Sequence, residues 1–351
     1  MAEQQPPGVR LIRVGLLGFL LLAAACAAPG PPPRPEDGPV PELGKITAWA
    51  IQLQGLRRLG APDRLSRADV DLVVIDRVQT VKGAENFALP AVVKQVHASA
   101  GRSRKAKLCL AYVNIGQAED YRTYWGDGWT APKADAPADP AFILGKDPEG
   151  WRGNFPVAYW DPRWRRVVFG AETSLVDGAI RDGFDGVVLD WVMGFGNADV
   201  IEAANRSGHD PADEMVRLIR DLAAYARERR PGFLVFPLNA AGLLETRPDL
   251  IPVVTGVVQE DVSFAGAASS DWDDPKNADL AIAASGDWST ETHIRRLTAL
   301  RAKGLTILTV DYAANERNRK AAIALATRHG FVPFVSRTPL DRVPEEYMVF
   351  R

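Results

Sequence analysis

The chain has 351 residues, 46% hydrophobic and 25% charged, which supplies core enough for one large α/β domain or two smaller ones. A formal net charge of -2 offers no basic field, so nucleic acid is not an expected partner. Its two cysteines, Cys26 and Cys109, cannot furnish a zinc set.

The N-terminus reads as a targeting segment. Arg10 and Arg13 supply positive charge, residues 14–25 are apolar but short for a bilayer span, and small residues precede Cys26. Leu22-Ala23-Ala24-Ala25-Cys26 resembles a bacterial lipobox, with Ala23 where that pattern prefers leucine. Residues 1–26 are therefore expected to be a lipoprotein signal ending in the lipidation residue Cys26. The mature protein is expected to be exported and lipid-anchored to a bacterial membrane, on its periplasmic or outer side. A plain secretory signal cut near Ala28 is the alternative. With Cys26 lipidated, Cys109 has no partner and reads as a buried core thiol. Residues 27–44 form a spacer in which Pro29, Pro31, Pro32, Pro33, Pro35, Pro39 and Pro41 favour an extended backbone. The folded domain is expected over residues 45–351.

Within it, short aliphatic and β-branched runs at 48–53, 72–78, 108–115, 186–192, 233–238, 256–259, 306–310 and 331–335 read as strands buried on both faces. Helices fall between them. Asp161-Pro162 places a capping carboxylate before a proline, opening a helix that runs toward Gly183. Asp210-Pro211 repeats the device, and Pro231-Gly232 stops the helix that follows. Ser289 and Thr290 cap a helix ending near Gly304, and another ends near Gly330. Eight strands with helical crossovers fit a single-domain α/β fold, a (β/α)8 TIM-like barrel. A doubly wound open sheet is the competitor, but Gln52-Leu53-Gln54-Gly55 is not the Gly-rich phosphate loop such a sheet usually carries.

Two of the runs end in acid: Gly186-Val187-Val188-Leu189-Asp190-Trp191 and Gly256-Val257-Val258-Gln259-Glu260-Asp261. In a parallel barrel such ends gather at one catalytic mouth, and two carboxylates across a bound sugar suffice to hydrolyse a glycosidic bond. The connection over 117–160, after the third strand, is unusually long and holds Tyr121, Tyr124, Trp125, Trp129, Trp151, Tyr159 and Trp160. Either these rings wall a saccharide groove or they pack the loop onto the barrel rim.

At this point a family resemblance appears. Ala111-Tyr112-Val113-Asn114-Ile115-Gly116-Gln117-Ala118-Glu119-Asp120-Tyr121-Arg122 resembles the Y-x-S-x-G-E-A-E-D-Y-R stretch of bacterial and archaeal endo-α-1,4-polygalactosaminidases, related to glycoside hydrolase family 114. Tyr159-Trp160-Asp161-Pro162 is similar to that family's Y-W-D-P, and Gly183-Phe184-Asp185-Gly186-Val187-Val188-Leu189-Asp190 to its G-F-D-G-V-x-L-D. Trp49-Ala50-Ile51-Gln52-Leu53-Gln54 fits its opening, so the resemblance spans residues 49–335. It implies a TIM-like barrel whose catalytic pair is an aspartate after the fourth strand and a glutamate after the sixth, here Asp190 and Glu260. The chain departs where Asn114 replaces a common serine and Gln117 replaces the first glutamate. Some relatives have been labelled cysteinyl-tRNA synthetases, but this chain has neither nucleotide-binding signatures nor a zinc-binding cysteine set.

The acid of such a pair needs a raised pKa. Asp190 is assigned as nucleophile or base and Glu260 as general acid. Substrate contacts are expected from Asp76, Tyr112, Asn114, Glu119, Tyr121, Trp125, Trp160, Trp191, Asn239, Asp261, Asp311 and Tyr312. Asp76 has an alternative as the ion-pair partner of Arg77. Of Glu119 and Asp120, one lines the groove and the other caps a short helix starting at Tyr121. Acidic strand ends would attract a cationic polymer such as de-N-acetylated galactosamine. His97, His209, His293 and His329 fall in or beside helices and form no metal motif, and no Gly-x-Ser-x-Gly elbow occurs. No metal or cofactor is expected, and a monomer is the default. The rival reading is a non-catalytic carbohydrate-binding lipoprotein on a degenerate barrel, favoured by Gln117 and Asn114. A surface scaffold whose aromatic loop binds protein is the third.

Overall fold

The computed structural model describes residues 46–133, 136–268 and 271–348. The expected signal, the lipidation residue Cys26 and the proline-rich spacer lie outside the described residues. All eight expected runs are strands: β1 (Trp49–Gln52), β2 (Leu72–Asp76), β3 (Leu108–Asn114), β4 (Gly186–Asp190), β5 (Leu234–Pro237), β6 (Gly256–Glu260), β7 (Thr306–Tyr312) and β8 (Val332–Ser336). They pair in parallel in chain order, β1 through β5 and β6 through β8. The two arcs meet where Leu238 bridges Val258 and the Asn239 N–H donates to the Val258 carbonyl at 2.8 Å. Between β8 and β1, the Trp49 indole donates to the Val332 carbonyl at 2.9 Å and its ring lies 5.7 Å from Phe334. The architecture is a (β/α)8 barrel, not an open sheet.

Burial on both faces explains the near-continuous apolar runs: every residue of β1 and β2 is buried. Close approach between strands uses glycine. A Cβ on Gly256 would stand 2.3 Å from the Thr306 carbonyl and 2.4 Å from the Phe236 ring.

Helices cover the outside: α1 (Ala61–Arg67), α2 (Leu89–His97), α3 (Pro162–Val168), α4 (Leu175–Asp182), α5 (Ala198–Ser207), α6 (Pro211–Arg229), α7 (Ala241–Thr246), α8 (Thr290–Ala302) and α9 (Glu316–Arg328). Asp161, Asp210 and Ser289 cap α3, α6 and α8 by accepting backbone N–H bonds. The helix expected from Asp161 to Gly183 is two. Phe169 turns extended, Gly170 takes φ 91°, and Ser174 caps a fresh start, while Gly183 closes α4 at φ 91°. No helix begins at Tyr121. Residues 120–124 form turns, because Arg122 bridges to Val81.

The long connection is an ordered excursion. Gln117–Glu119 pairs antiparallel with Asn154–Pro156. Trp129 packs against Trp125 at 5.5 Å and Phe142 at 5.3 Å, and Phe142 meets Trp164 at 5.9 Å. These rings form a small core that holds the loop on the barrel rim.

Gly256→Ala is expected to destabilise the barrel by about 1–3 kcal/mol, because backbone on a neighbouring strand must move. A lower urea midpoint with an unchanged slope would show it; an unchanged midpoint would contradict the packing argument.

Candidate active site

A cavity of about 730 Å³ opens at the C-terminal ends of the strands. Asp76, Tyr112, Asp190, Glu260 and Tyr312 line it from β2, β3, β4, β6 and β7. Parallel register puts each acidic strand beside a tyrosine-bearing one. The Tyr112 hydroxyl donates to Asp190 Oδ2 and the Tyr312 hydroxyl to Glu260 Oε1. Each carboxylate has a second donor. The Trp191 N–H meets Asp190 Oδ1 at 2.6 Å, and Asn239 Nδ2 meets Glu260 Oε2 at 3.0 Å. The Asn239 amide is oriented from behind, since its Oδ1 accepts from the Glu260 N–H and from Gln259 Nε2, both at 2.9 Å.

The backbone is strained where these groups are aimed. Trp191, Asn239 and Asp261, just beyond β4, β5 and β6, take φ of 59°, 55° and 56°. Such residues cost on the order of 1–3 kcal/mol each and persist where the surroundings impose them. Glycine makes room for the Trp191 ring. A Cβ on Gly194 would lie 2.4 Å from Trp191 Cε3, and one on Gly116 2.5 Å from its carbonyl oxygen.

The electrostatics suit acid–base chemistry. Burial, then the charge of Glu260, pushes Asp190 up to about 7, against the donors Tyr112 and Trp191. Burial also raises Glu260, opposed by Tyr312 and Asn239. Both phenols are held well above their ordinary value by burial and the adjacent carboxylates, so they remain donors. The two acids interact, and their titration steps belong to the pair.

A second buried network flanks the pair. Arg122 bridges Asp76 at 2.9 Å and Glu119 at 2.8 Å, and the Tyr121 hydroxyl donates to Glu119 at 2.5 Å. Asp76 does not pair with Arg77. Successive residues of a strand point to opposite faces, and Arg77 meets Asp182 at 2.7 Å.

Of the residues expected to contact substrate, Asp76, Tyr112, Glu119, Tyr121, Trp191, Asn239 and Tyr312 line the cavity. Five do not. Asn114 is buried behind the wall, its Oδ1 accepting the Gln117 N–H at 2.9 Å. Trp125 packs in the rim core, and Trp160 lies against Tyr159 and His209. Asp261 Oδ1 is buried without a hydrogen bond, and burial, Glu260, Asp311 and Glu149 push this carboxyl up to about 8. Asp311 accepts the Ser263 and Phe264 N–H groups at 2.6 and 2.9 Å, pinning the chain after β6. Arg122, Glu149 and Met193 also line the cavity and are not among the expected contacts. Of these, Arg122 alone carries a signal in the sequence, as the last residue of the quoted motif. Among the described residues, no group of three or more His, Cys, Asp or Glu is placed to hold a metal ion.

Two outcomes follow for Asp190. Glu260→Gln removes a like charge, so Asp190 should titrate lower than about 7, as read from its carboxyl signal by infrared or NMR titration. An unmoved Asp190 would show that the two acids are not coupled. Folding also ties up a proton that an unfolded aspartate loses near about 3.9, so stability falls as pH rises from that value through the folded one. Asp190→Asn should therefore raise the melting temperature by a few degrees at pH 8, with the gain vanishing near pH 4.

Comparison with known proteins places the chain in a family. Residues 29–348 match the model of Glycoside-hydrolase family GH114. An uncharacterized protein of Deinococcus radiodurans is 30% identical over 346 residues, 93% of this chain and 97% of that one. One from Thermotoga maritima is 28% identical over 304 residues, 84% and 81% of the two chains. Among solved structures, the glycoside hydrolase domain of PelA from Pseudomonas aeruginosa superposes with a TM-score of 0.55 at 20% identity, covering 85% of this chain and 98% of that one. Aspergillus fumigatus Ega3, in complex with galactosamine, gives 0.57 at 15% identity, covering 84% and 93%. These two share the fold. Because the family match spans the barrel and the mouth that holds the carboxylates, the chain belongs to glycoside hydrolase family GH114 and is a glycosidase.

Proposed function

We propose that Asp190 and Glu260 are the catalytic pair and that the substrate is an amino-sugar polysaccharide, an α-1,4-linked, de-N-acetylated galactosamine polymer cleaved internally. The observation that carries the pair is the raised Asp190 carboxyl, held near 7 in one cavity with the Glu260 charge. One carboxyl protonates the leaving oxygen while the other attacks the anomeric carbon or activates water. The division assigned from the sequence, with Glu260 as acid, requires the pair's proton to lie on Glu260 once substrate binds. In the free enzyme burial raises both acids, and their titration steps belong to the pair.

The amino-sugar reading rests on charge. Asp76, Glu119, Glu149, Asp190 and Glu260 line the cavity against Arg57, Arg58, Arg122 and Arg152; Arg122 is taken up by Asp76 and Glu119, and Arg58 by Asp341. A cationic sugar is favoured there and an acidic one repelled. The galactosamine bound to Ega3, a protein of the same fold, agrees with it. Asn114 and Gln117, the residues that favour a degenerate binding barrel, hydrogen-bond to each other at 3.1 Å and leave both carboxylates in place. The leader and Cys26 support an exported, lipid-anchored protein acting on polymer at a cell surface.

The test is release of reducing ends from partly de-N-acetylated poly-galactosamine by protein from Lys45 onward. Asp190→Asn and Glu260→Gln should each lower kcat by about 10²–10⁴ while circular dichroism stays native. Activity surviving both substitutions would assign the chemistry to other residues.

A further inference from the structure

Gln117, where the family carries glutamate, has a specific partner. Its Nε2 donates to Asp147 Oδ2 at 2.6 Å, while its Oε1 accepts from Asn114 Nδ2 at 3.1 Å and Asn154 Nδ2 at 3.3 Å. The other oxygen of Asp147 shapes the following turn, accepting the Glu149 and Trp151 N–H groups, both at 2.9 Å. The Asp147 N–H in turn donates to the Asn154 carbonyl at 3.1 Å, tying the turn to the loop's antiparallel ribbon. One carboxylate therefore sets the path of residues 147–151, and one amide fixes that carboxylate.

The turn delivers two side chains to the cavity wall, Glu149 and Trp151. Glu149 is exposed to solvent and has no ion pair among the described residues. Partial desolvation, then the charges of Asp147 and Glu260, raise its carboxyl, while the Trp151 indole lowers it as a donor. An unpaired carboxylate beside an indole, on the wall that carries Glu260, has the two parts an amino-sugar ring needs: an anion for the ammonium and a flat apolar face for the ring.

We infer that Glu149 and Trp151 form a subsite for the ammonium-bearing sugar next to the catalytic pair, and that Gln117 and Asp147 are the residues that position it. This deepens the amino-sugar reading above and rests on it. The amide at position 117 is essential to the device. A glutamate there would set a second carboxylate against Asp147. Exchanging amide and acid between the two positions, by Gln117→Glu with Asp147→Asn, keeps every hydrogen bond. The new amide at position 147 would donate to the new carboxylate at position 117, and its oxygen would still accept the two turn N–H groups.

The experiment compares wild type, Glu149→Gln, Gln117→Glu and the double variant Gln117→Glu/Asp147→Asn. The readouts are KM and kcat on de-N-acetylated poly-galactosamine, and calorimetric binding of a galactosamine oligosaccharide against its N-acetylated counterpart. Glu149→Gln should raise KM about tenfold with a smaller change in kcat, and narrow the preference for the amine form. Gln117→Glu should do the same, and adding Asp147→Asn should restore it. Cleavage by wild type with an unchanged KM in Glu149→Gln overturns the subsite while the catalytic reading stands. A Gln117→Glu loss that the second substitution fails to restore, with native melting temperatures, overturns the positioning role. Failure of wild type both to cleave the polymer and to bind the oligosaccharide removes both readings together.

Discussion

Everything at this barrel's mouth depends on keeping two carboxyl groups out of water without neutralising either with a cation. Desolvation penalises both charges, and among the described residues neither Asp190 nor Glu260 has an ion-pair partner. Uncharged donors hold them instead: Tyr112 and the Trp191 N–H on one, Tyr312 and Asn239 on the other. An arginine would stabilise the charged forms and pull the proton off at low pH. A phenol supplies a hydrogen bond and leaves the proton available near neutrality. That distinction separates the Asp190–Glu260 pair from its neighbour, the Asp76–Arg122–Glu119 network, where a buried guanidinium ties two carboxylates together.

The barrel supplies this geometry through register. Asn114 lies opposite Asp190 and Val310 opposite Glu260, so the tyrosines two residues away on β3 and β7 reach the acids on β4 and β6. The left-handed turns at Trp191, Asn239 and Asp261 then redirect the chain immediately after each strand. Strain at these positions, and a buried Asp261 oxygen without a partner, are costs the large apolar core offsets. Stability and chemistry are thus set against each other within a few residues.

The long excursion after β3 extends the site beyond the strand ends. Its aromatic core fixes it to the rim, and the Gln117–Asp147 contact shapes its last turn toward the cavity. Rings on that loop have two fates. Trp125 and Trp129 stabilise the loop, whereas Tyr121 and Trp151 face the cavity.

The sequence by itself determined the eight strands, the barrel, the capped starts of α3, α6 and α8, and the two acids at strand ends. These are local properties: apolar runs, Asp-Pro pairs, and a carboxylate closing a buried segment. It missed the break between α3 and α4, because the capping Ser174 competes with an otherwise continuous helical pattern. Only the tertiary structure decided which tyrosine holds which acid, that Asp76 joins Arg122 rather than the adjacent Arg77, and that Trp125, Trp160, Asp261 and Asp311 turn away from the cavity. Glu149 reaches that cavity from a loop with no strand-end or motif signal. The physical reason is common to all of them. Partners such as Tyr112 and Asp190 lie many residues apart in the chain, and the direction of a side chain after a left-handed turn follows from packing around it rather than from its neighbours in sequence.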